Sequence, residues 1–174
     1  HALIPLTSLL DPDATMGLPP RQTAAGTADI MSHVFEQYFS PVAESTLQDR
    51  MAEAVLRTCT EWAPTALMIP DDREARNQLL WAGTVALNGL LGCGKRGDWA
   101  THAIEHAVSA LTDMTHGVGL AILTPHWMEH VLDEEAVVRM AALALEVWGV
   151  DEDSDMAAAR RGIAALRHFF AEMG

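Results

Sequence analysis

Leu, Ala, Val and Met recur through this 174-residue chain at three- and four-residue intervals. That spacing lays an apolar stripe along a helix and fits the two-residue strand period poorly. Residues up to about 20 read as extended and turn-rich, because Asp11-Pro12 and the Pro19-Pro20 pair disfavour a helix there. A first helix is predicted over residues 21–39, ending before Pro41. A second begins after Ser45, where Ser45-x-x-Gln48 has the form of a capping box, and stops before Pro64. A third opens at Asp71-x-x-Glu74 and runs to about Gly92, where Gly-Cys-Gly-Lys-Arg-Gly breaks it. Asp98 caps a fourth that extends to about Asp113. A break at Thr115-His116-Gly117 leads into a further helix with Pro125 near its centre. Two more follow, over residues 134–148 and 154–173. The chain is therefore expected to be an all-α helical bundle.

The apolar fraction of 49% rests mostly on Ala, Leu, Val and Met, a balance that favours helices over sheets. One domain of this length buries a sizeable core. The formal charge of −13 argues against nucleic acid or an anionic membrane as partner and tolerates a bound cation. Cys59 and Cys93 match no zinc-finger spacing, which points to a reduced, cytoplasmic setting. Apolar runs are interrupted by charges or Gly, so neither a signal peptide nor a spanning segment is expected. The chain has no initiating Met and stops at Gly174 just after an amphipathic run, as if cut from a larger protein.

The candidate chemistry lies in the histidines. Asp29 and His33 are four residues apart, as are His102 and His106, and His116 follows. An i, i+4 pair shares one helix face. Two such pairs and a fifth donor could close around one divalent ion, and imidazoles with a carboxylate suit iron, zinc or nickel better than magnesium or calcium. Asp29 sits among Ile30, Met31, Val34 and Phe35, and a part-buried carboxylate needs a charge partner or a metal. His116 lies 14 residues after His102, close to four turns of about 3.6 residues, so a bend near Thr115 lets the rings converge. Gly117 beside it leaves room for the backbone to turn.

A rival reading is a zinc peptidase, since Glu105 makes the second pair His-x-x-Glu-His. The blander reading is a non-catalytic helical domain with structural histidines. His126 and His130 read as surface or cleft rim, and His1 and His168 carry no signal. The stretch GLLGCGKRGDW lacks the ending of a Walker A loop and has no preceding strand, so it reads as a helix stop and linker.

In combination, LDP near the start, Ala-Asp-x-x-x-His, then His-x3-His with Thr-His-Gly nine residues on, resemble the iron-containing (group III) alcohol dehydrogenases, butanol dehydrogenase branch. The likeness covers nearly the whole chain. It implies a two-domain enzyme of which residues 1–174 are the helical metal-binding half, without its last few helices and without the α/β domain that binds NAD(P). It implies metal ligands at Asp29, His33, His102 and His116. His106 would line the active site, and Glu105 would have no catalytic consequence. The metal would be Fe²⁺, with Zn²⁺ or Ni²⁺ as alternatives, acting as a Lewis acid during hydride transfer between NAD(P)H and a short-chain alcohol or aldehyde such as butanol. Leu91, Val118 and Leu120 would shape an aliphatic pocket. The isolated chain would be inactive without its nucleotide domain, and a homo-oligomer is expected.

Overall fold

The computed structural model describes residues 6–40 and 44–174, and among these there are helices and no strand. A 3₁₀ turn (Pro12–Thr15) precedes α1 (Pro20–Tyr38), α2 (Thr46–Met68), α3 (Arg73–Leu87), α4 (Ala100–Thr112), α5 (His116–His130), α6 (Ala136–Trp148) and α7 (Asp155–Met173). The all-α reading therefore holds. No helix among the described residues is long and apolar enough to cross a membrane.

Several boundaries differ from the sequence expectation, each for a local reason. The lead-in segment is not wholly extended: Asp11 accepts the Asp13 N–H at 3.0 Å, and Pro12 starts the 3₁₀ turn. At α2 the capping box does not form. The Ser45 hydroxyl donates to Asp49, and Gln48 donates instead to the Cys93 carbonyl at 3.0 Å. Pro64 lies inside α2 rather than ending it. A mid-helix Pro forfeits a hydrogen bond, but Cys59, Ala63 and Ala66 are all buried on the continuing helix, and packing carries it through. Asp72, not Asp71, caps α3 by accepting the Ala75 N–H at 2.9 Å. That helix ends at Leu87, short of Gly92, where Asn88 takes the Leu90 N–H and Gly89 turns with φ +89°. Pro41 and His1 lie outside the described residues.

Helix α1 is the axle of the bundle and packs against α2, α3, α4, α5 and α7. It is buried nearly all round, and its many small residues let neighbours approach closely. Met31, Val34 and Phe35 fill the core with Leu56, Leu79, Met128 and Leu166. Each such side chain contributes about 1.5–3 kcal/mol when fully buried. Polar groups among them find partners: Ser32 with Thr124 at 3.1 Å, Gln37 with the His33 and Ala86 carbonyls, and Arg76 Nη1 with Thr23 at 2.8 Å, although Arg76 Nη2 has none among the described residues. The closest approach is at Gly117, where a Cβ would run into the Ala25 carbonyl of α1.

The glycine-rich segment between α3 and α4 is docked, which a plain linker would not be. Leu91 is fully buried, and the wholly shielded Lys95 side chain pairs with Asp49 of α2. Arg139 of α6 pairs with the same carboxylate at 2.9 Å and lies over the Tyr38 ring. Both thiols are free: burial pushes Cys59 up to about 12, and Cys93 is exposed.

Burial raises the Asp49 carboxyl, but Lys95 and Arg139 outweigh it and hold the group below its ordinary value. A depressed folded-state pKa means the contribution is complete above about pH 4 and fades as pH falls further. Asp49→Asn is expected to cost about 3 kcal/mol at neutral pH, because it leaves Lys95 buried without a counter-charge. Urea unfolding should show that gap narrowing below pH 4. Gly117→Ala is expected to destabilise by about 1–3 kcal/mol, since the obstacle is backbone and not a movable side chain. Denaturation that leaves this variant unchanged would mean the two helices separate freely.

Candidate functional site

Helix α1 carries Asp29, His33 and Glu36 at i, i+4 and i+7, which places all three on one face. That face meets α4 and the start of α5. The α4 N-terminus is fastened there by Glu36. The Glu36 carbonyl accepts the Asp98 N–H at 3.0 Å, and its Oε1 accepts the Thr101 and His102 N–H groups at 2.8 and 3.2 Å. The Thr101 hydroxyl also donates to Oε1. Trp99, not Asp98, is the N-cap of α4, and Asp98 one residue earlier accepts the Ala100 N–H at 2.9 Å. Helix α4 ends at Asp113 in a left-handed conformation with φ 56°, and the chain turns so that His116 begins α5. This break brings the His116 ring within 5.3 Å of the His102 ring, centroid to centroid.

Three imidazoles surround Asp29. His102 Nε2 and His116 Nε2 each lie 3.5 Å from Asp29 Oδ1. His33 stacks edge-on to His102 at 4.3 Å, and its Nδ1 lies 2.9 Å from the Asp29 carbonyl oxygen. Every one of the three rings is held by Nδ1: His33 by that carbonyl, His102 by Glu36 and His116 by Glu105. A proton on Nδ1 leaves Nε2 with its lone pair, the arrangement in which acceptors orient metal-binding histidines.

Electrostatics sharpen the picture. Burial pushes the Asp29 carboxyl up, but His102, His33 and His116 overcome that and hold it well below the usual carboxylate range. Burial pushes His102 down, yet Asp29 and Glu36 on either side carry it up to about 9. Burial likewise raises Glu36, while His102 and Thr101 bring it below its ordinary value. In the ion-free protein His102 therefore holds a proton between two carboxylates, a positive charge that a bound cation would replace.

The donor set fits one. Asp29, His102 and His116 each offer a ligand atom, and these atoms lie within 4.8 Å of one another. Asp29 Oδ1 and His102 Nε2 are buried and have no hydrogen-bond partner among the described residues, a costly condition that a coordinated ion would relieve. Nitrogen donors with one carboxylate suit a borderline transition metal.

The sequence-predicted residues thus fall in one place, with distinctions. Asp29, His102 and His116 form the close set, and His33 lies against it with Nδ1 engaged. His106 is exposed at the mouth, its ring 5.2 Å from His116. Trp99 flanks His33 and His102 edge-on at 5.8 and 5.6 Å. Glu105 is far from the inert helix-face residue expected of it: it is fully buried and holds His116. The same contact leaves it no water-facing position from which to serve as a peptidase base. Of the three residues expected to shape an aliphatic pocket, Leu91 and Leu120 are fully buried, whereas Val118 lines a groove between α1, α5 and α7. His126 is exposed, pairs with Glu129 at 3.8 Å, and borders the same groove, of about 330 Å³. Glu36 was missed by sequence reasoning, although the Asp29–His33–Glu36 stripe on an otherwise small and apolar helix was the available signal.

Comparison with known proteins identifies the family of this chain. Residues 23–174 match the profile described as "Fe-containing alcohol dehydrogenase family, C-terminal". The chain is 50% identical over 169 residues to NADH-dependent butanol dehydrogenase B of Clostridium acetobutylicum, covering 97% of this chain and 43% of that protein. It is 39% identical over 170 residues to the NADPH-dependent aldehyde reductase YqhD of Escherichia coli, covering 98% and 44%. The solved structure of the substrate- and cofactor-free form of that reductase superposes with a TM-score of 0.90 at 38% identity, over 94% of this chain and 43% of the other. NADH-dependent butanol dehydrogenase A of Thermotoga maritima gives 0.89 at 36% identity, over 94% and 41%. The chain spans less than half the length of these relatives. With a family profile matched across most of its residues and the helical fold shared, the chain belongs to the Fe-containing alcohol dehydrogenase family, corresponding to the C-terminal part of its members.

Proposed function

We propose that Asp29, His33, His102 and His116 hold a divalent transition metal, Fe²⁺ with Zn²⁺ and Ni²⁺ as competitors, in an NAD(P)-dependent alcohol dehydrogenase or aldehyde reductase. The observation that carries this reading is the buried Asp29 Oδ1, which accepts no hydrogen bond among the described residues and faces His33 Nδ1 at 3.2 Å and two imidazole Nε2 atoms at 3.5 Å. The substrate class, short-chain primary alcohols such as butanol and their aldehydes, is supported by the names of the relatives. Binding of NAD(P)H is assigned to parts of the protein beyond this helical unit, since relatives are more than twice as long.

A bound divalent ion supplies Lewis acidity that polarises a carbonyl or acidifies an alcohol. The residues of this chain do the rest. Asp29 brings the one negative charge among the donors, and the Nδ1 contacts of His102 and His116 keep their Nε2 atoms directed at it. His106, exposed one turn from His102 and beside His116, is placed to take or give the alcohol proton. Trp99 covers one flank of the imidazoles and limits water there.

Elemental analysis tests the reading directly. The purified chain should carry about one transition-metal ion, and a variant with Asp29→Ala and His33→Ala together should carry almost none, as loss of two ligands of four requires. Full metal retention in that double variant would sink the ligand assignment. In a protein of the relatives' full length, His106→Ala should keep its metal while alcohol oxidation falls about 10²–10⁴-fold, the range for a lost general acid–base group. Unchanged turnover would remove His106 from proton transfer.

A further inference from the structure

Glu105 is a poor choice for packing. Its side chain is wholly shielded in the middle of the turn that faces α5, with one oxygen on His116 Nδ1 and the other, Oε1, without a hydrogen-bond partner among the described residues. A buried carboxylate with a single partner is an expensive group, and an apolar side chain of similar size would fill the space at less cost. The fold concedes more for it at Gly119. A Cβ at that position would stand 2.6 Å from Glu105 Oε1 and 2.7 Å from its Cγ, so the carboxylate occupies space that only a glycine leaves open. It thereby lies against the first turn of α5, the end of a helix that favours negative charge.

The same turn begins with His116, the ring least confined by packing. Its side chain is 36% exposed, against 15% for His33 and 9% for His102. Packing alone does not hold it, and Glu105 does. We propose that Glu105 is a positioning residue that aims His116 Nε2 at Asp29 by holding the opposite ring nitrogen, and that the ion-free fold is less stable for carrying it. This rests on the reading of Asp29, His33, His102 and His116 as a cation site. The sign of its effect on stability separates the proposal from a structural role: a structural residue stabilises the empty fold, and Glu105 does not.

The test is a Co²⁺ titration of the ion-free protein, read by chelator competition and by the visible d–d absorption, beside its thermal unfolding midpoint without ion. Glu105→Gln is expected to bind Co²⁺ about 10–100-fold more weakly, to shift the visible band, and to unfold at or above the wild-type temperature. Glu105→Leu should do the same and stands in if the amide variant fails to fold. Either variant, folded, with wild-type affinity and spectrum overturns the inference. So does a lowered midpoint with unchanged affinity, which would make Glu105 structural. So too does complete loss of binding in Glu105→Gln while Asp29→Asn binds normally, since Glu105, His106 and His116 would then hold the ion themselves. Wild-type protein that takes up no Co²⁺ fails the cation reading and this inference with it, whereas binding that Glu105 does not affect fails the inference alone.

Discussion

The Glu36 carboxylate meets two demands that are usually divided between residues. An α-helix begins with N–H groups that have no partner inside the helix. At α4 the capping acceptor comes from another helix: Oε1 of Glu36 takes two of those donors and the Thr101 hydroxyl. The second oxygen takes the His102 ring. One side chain on α1 therefore fixes where α4 starts, how it leans on the bundle, and which way its first histidine faces. Asp29 and His33 project from the same face of α1, so the position of His102 relative to both is set over two turns of one rigid element.

The three imidazoles illustrate a common solution reached with different materials. A main-chain carbonyl holds one, and two buried carboxylates hold the others, always by Nδ1. Each contact selects a tautomer and a ring plane before any ligand arrives, which lowers the ordering cost of binding. The cost is paid in burial: two carboxylates, Glu36 and Glu105, lie almost wholly out of water. Glu36 recovers much of that through three donors besides the ring. Glu105 recovers less, having His116 alone.

Much of this was legible in the sequence. The 3.6-residue period located the helices, and the acid–histidine and histidine–histidine pairs located the site, because a helix turns spacing directly into a shared face. What escaped depends on contacts between segments distant in the chain. Pro64 looked like a stop because local propensity cannot see that Ala63 and Ala66 are needed in the core. Ser45 looked like half of a capping box because nothing nearby shows that Gln48 prefers the Cys93 carbonyl. Lys95 looked like part of a linker, yet its partners come from α1 and α2. Glu36 was overlooked, and Glu105 was weighed only as a peptidase base, because their ring partners are 66 and 11 positions away.

The start of α5 packs three tasks into four residues. His116 faces Asp29, Gly117 touches the Ala25 backbone, and Gly119 makes room for Glu105. Contacts of main chain against main chain have no rotamers with which to absorb an error. The distance between α1 and α5 is thus fixed by atoms every residue possesses, and the His116-to-Asp29 spacing inherits it. The gauge of the site is cut into the backbone itself, which leaves Glu105 to set the direction of the His116 ring and not its distance from α1.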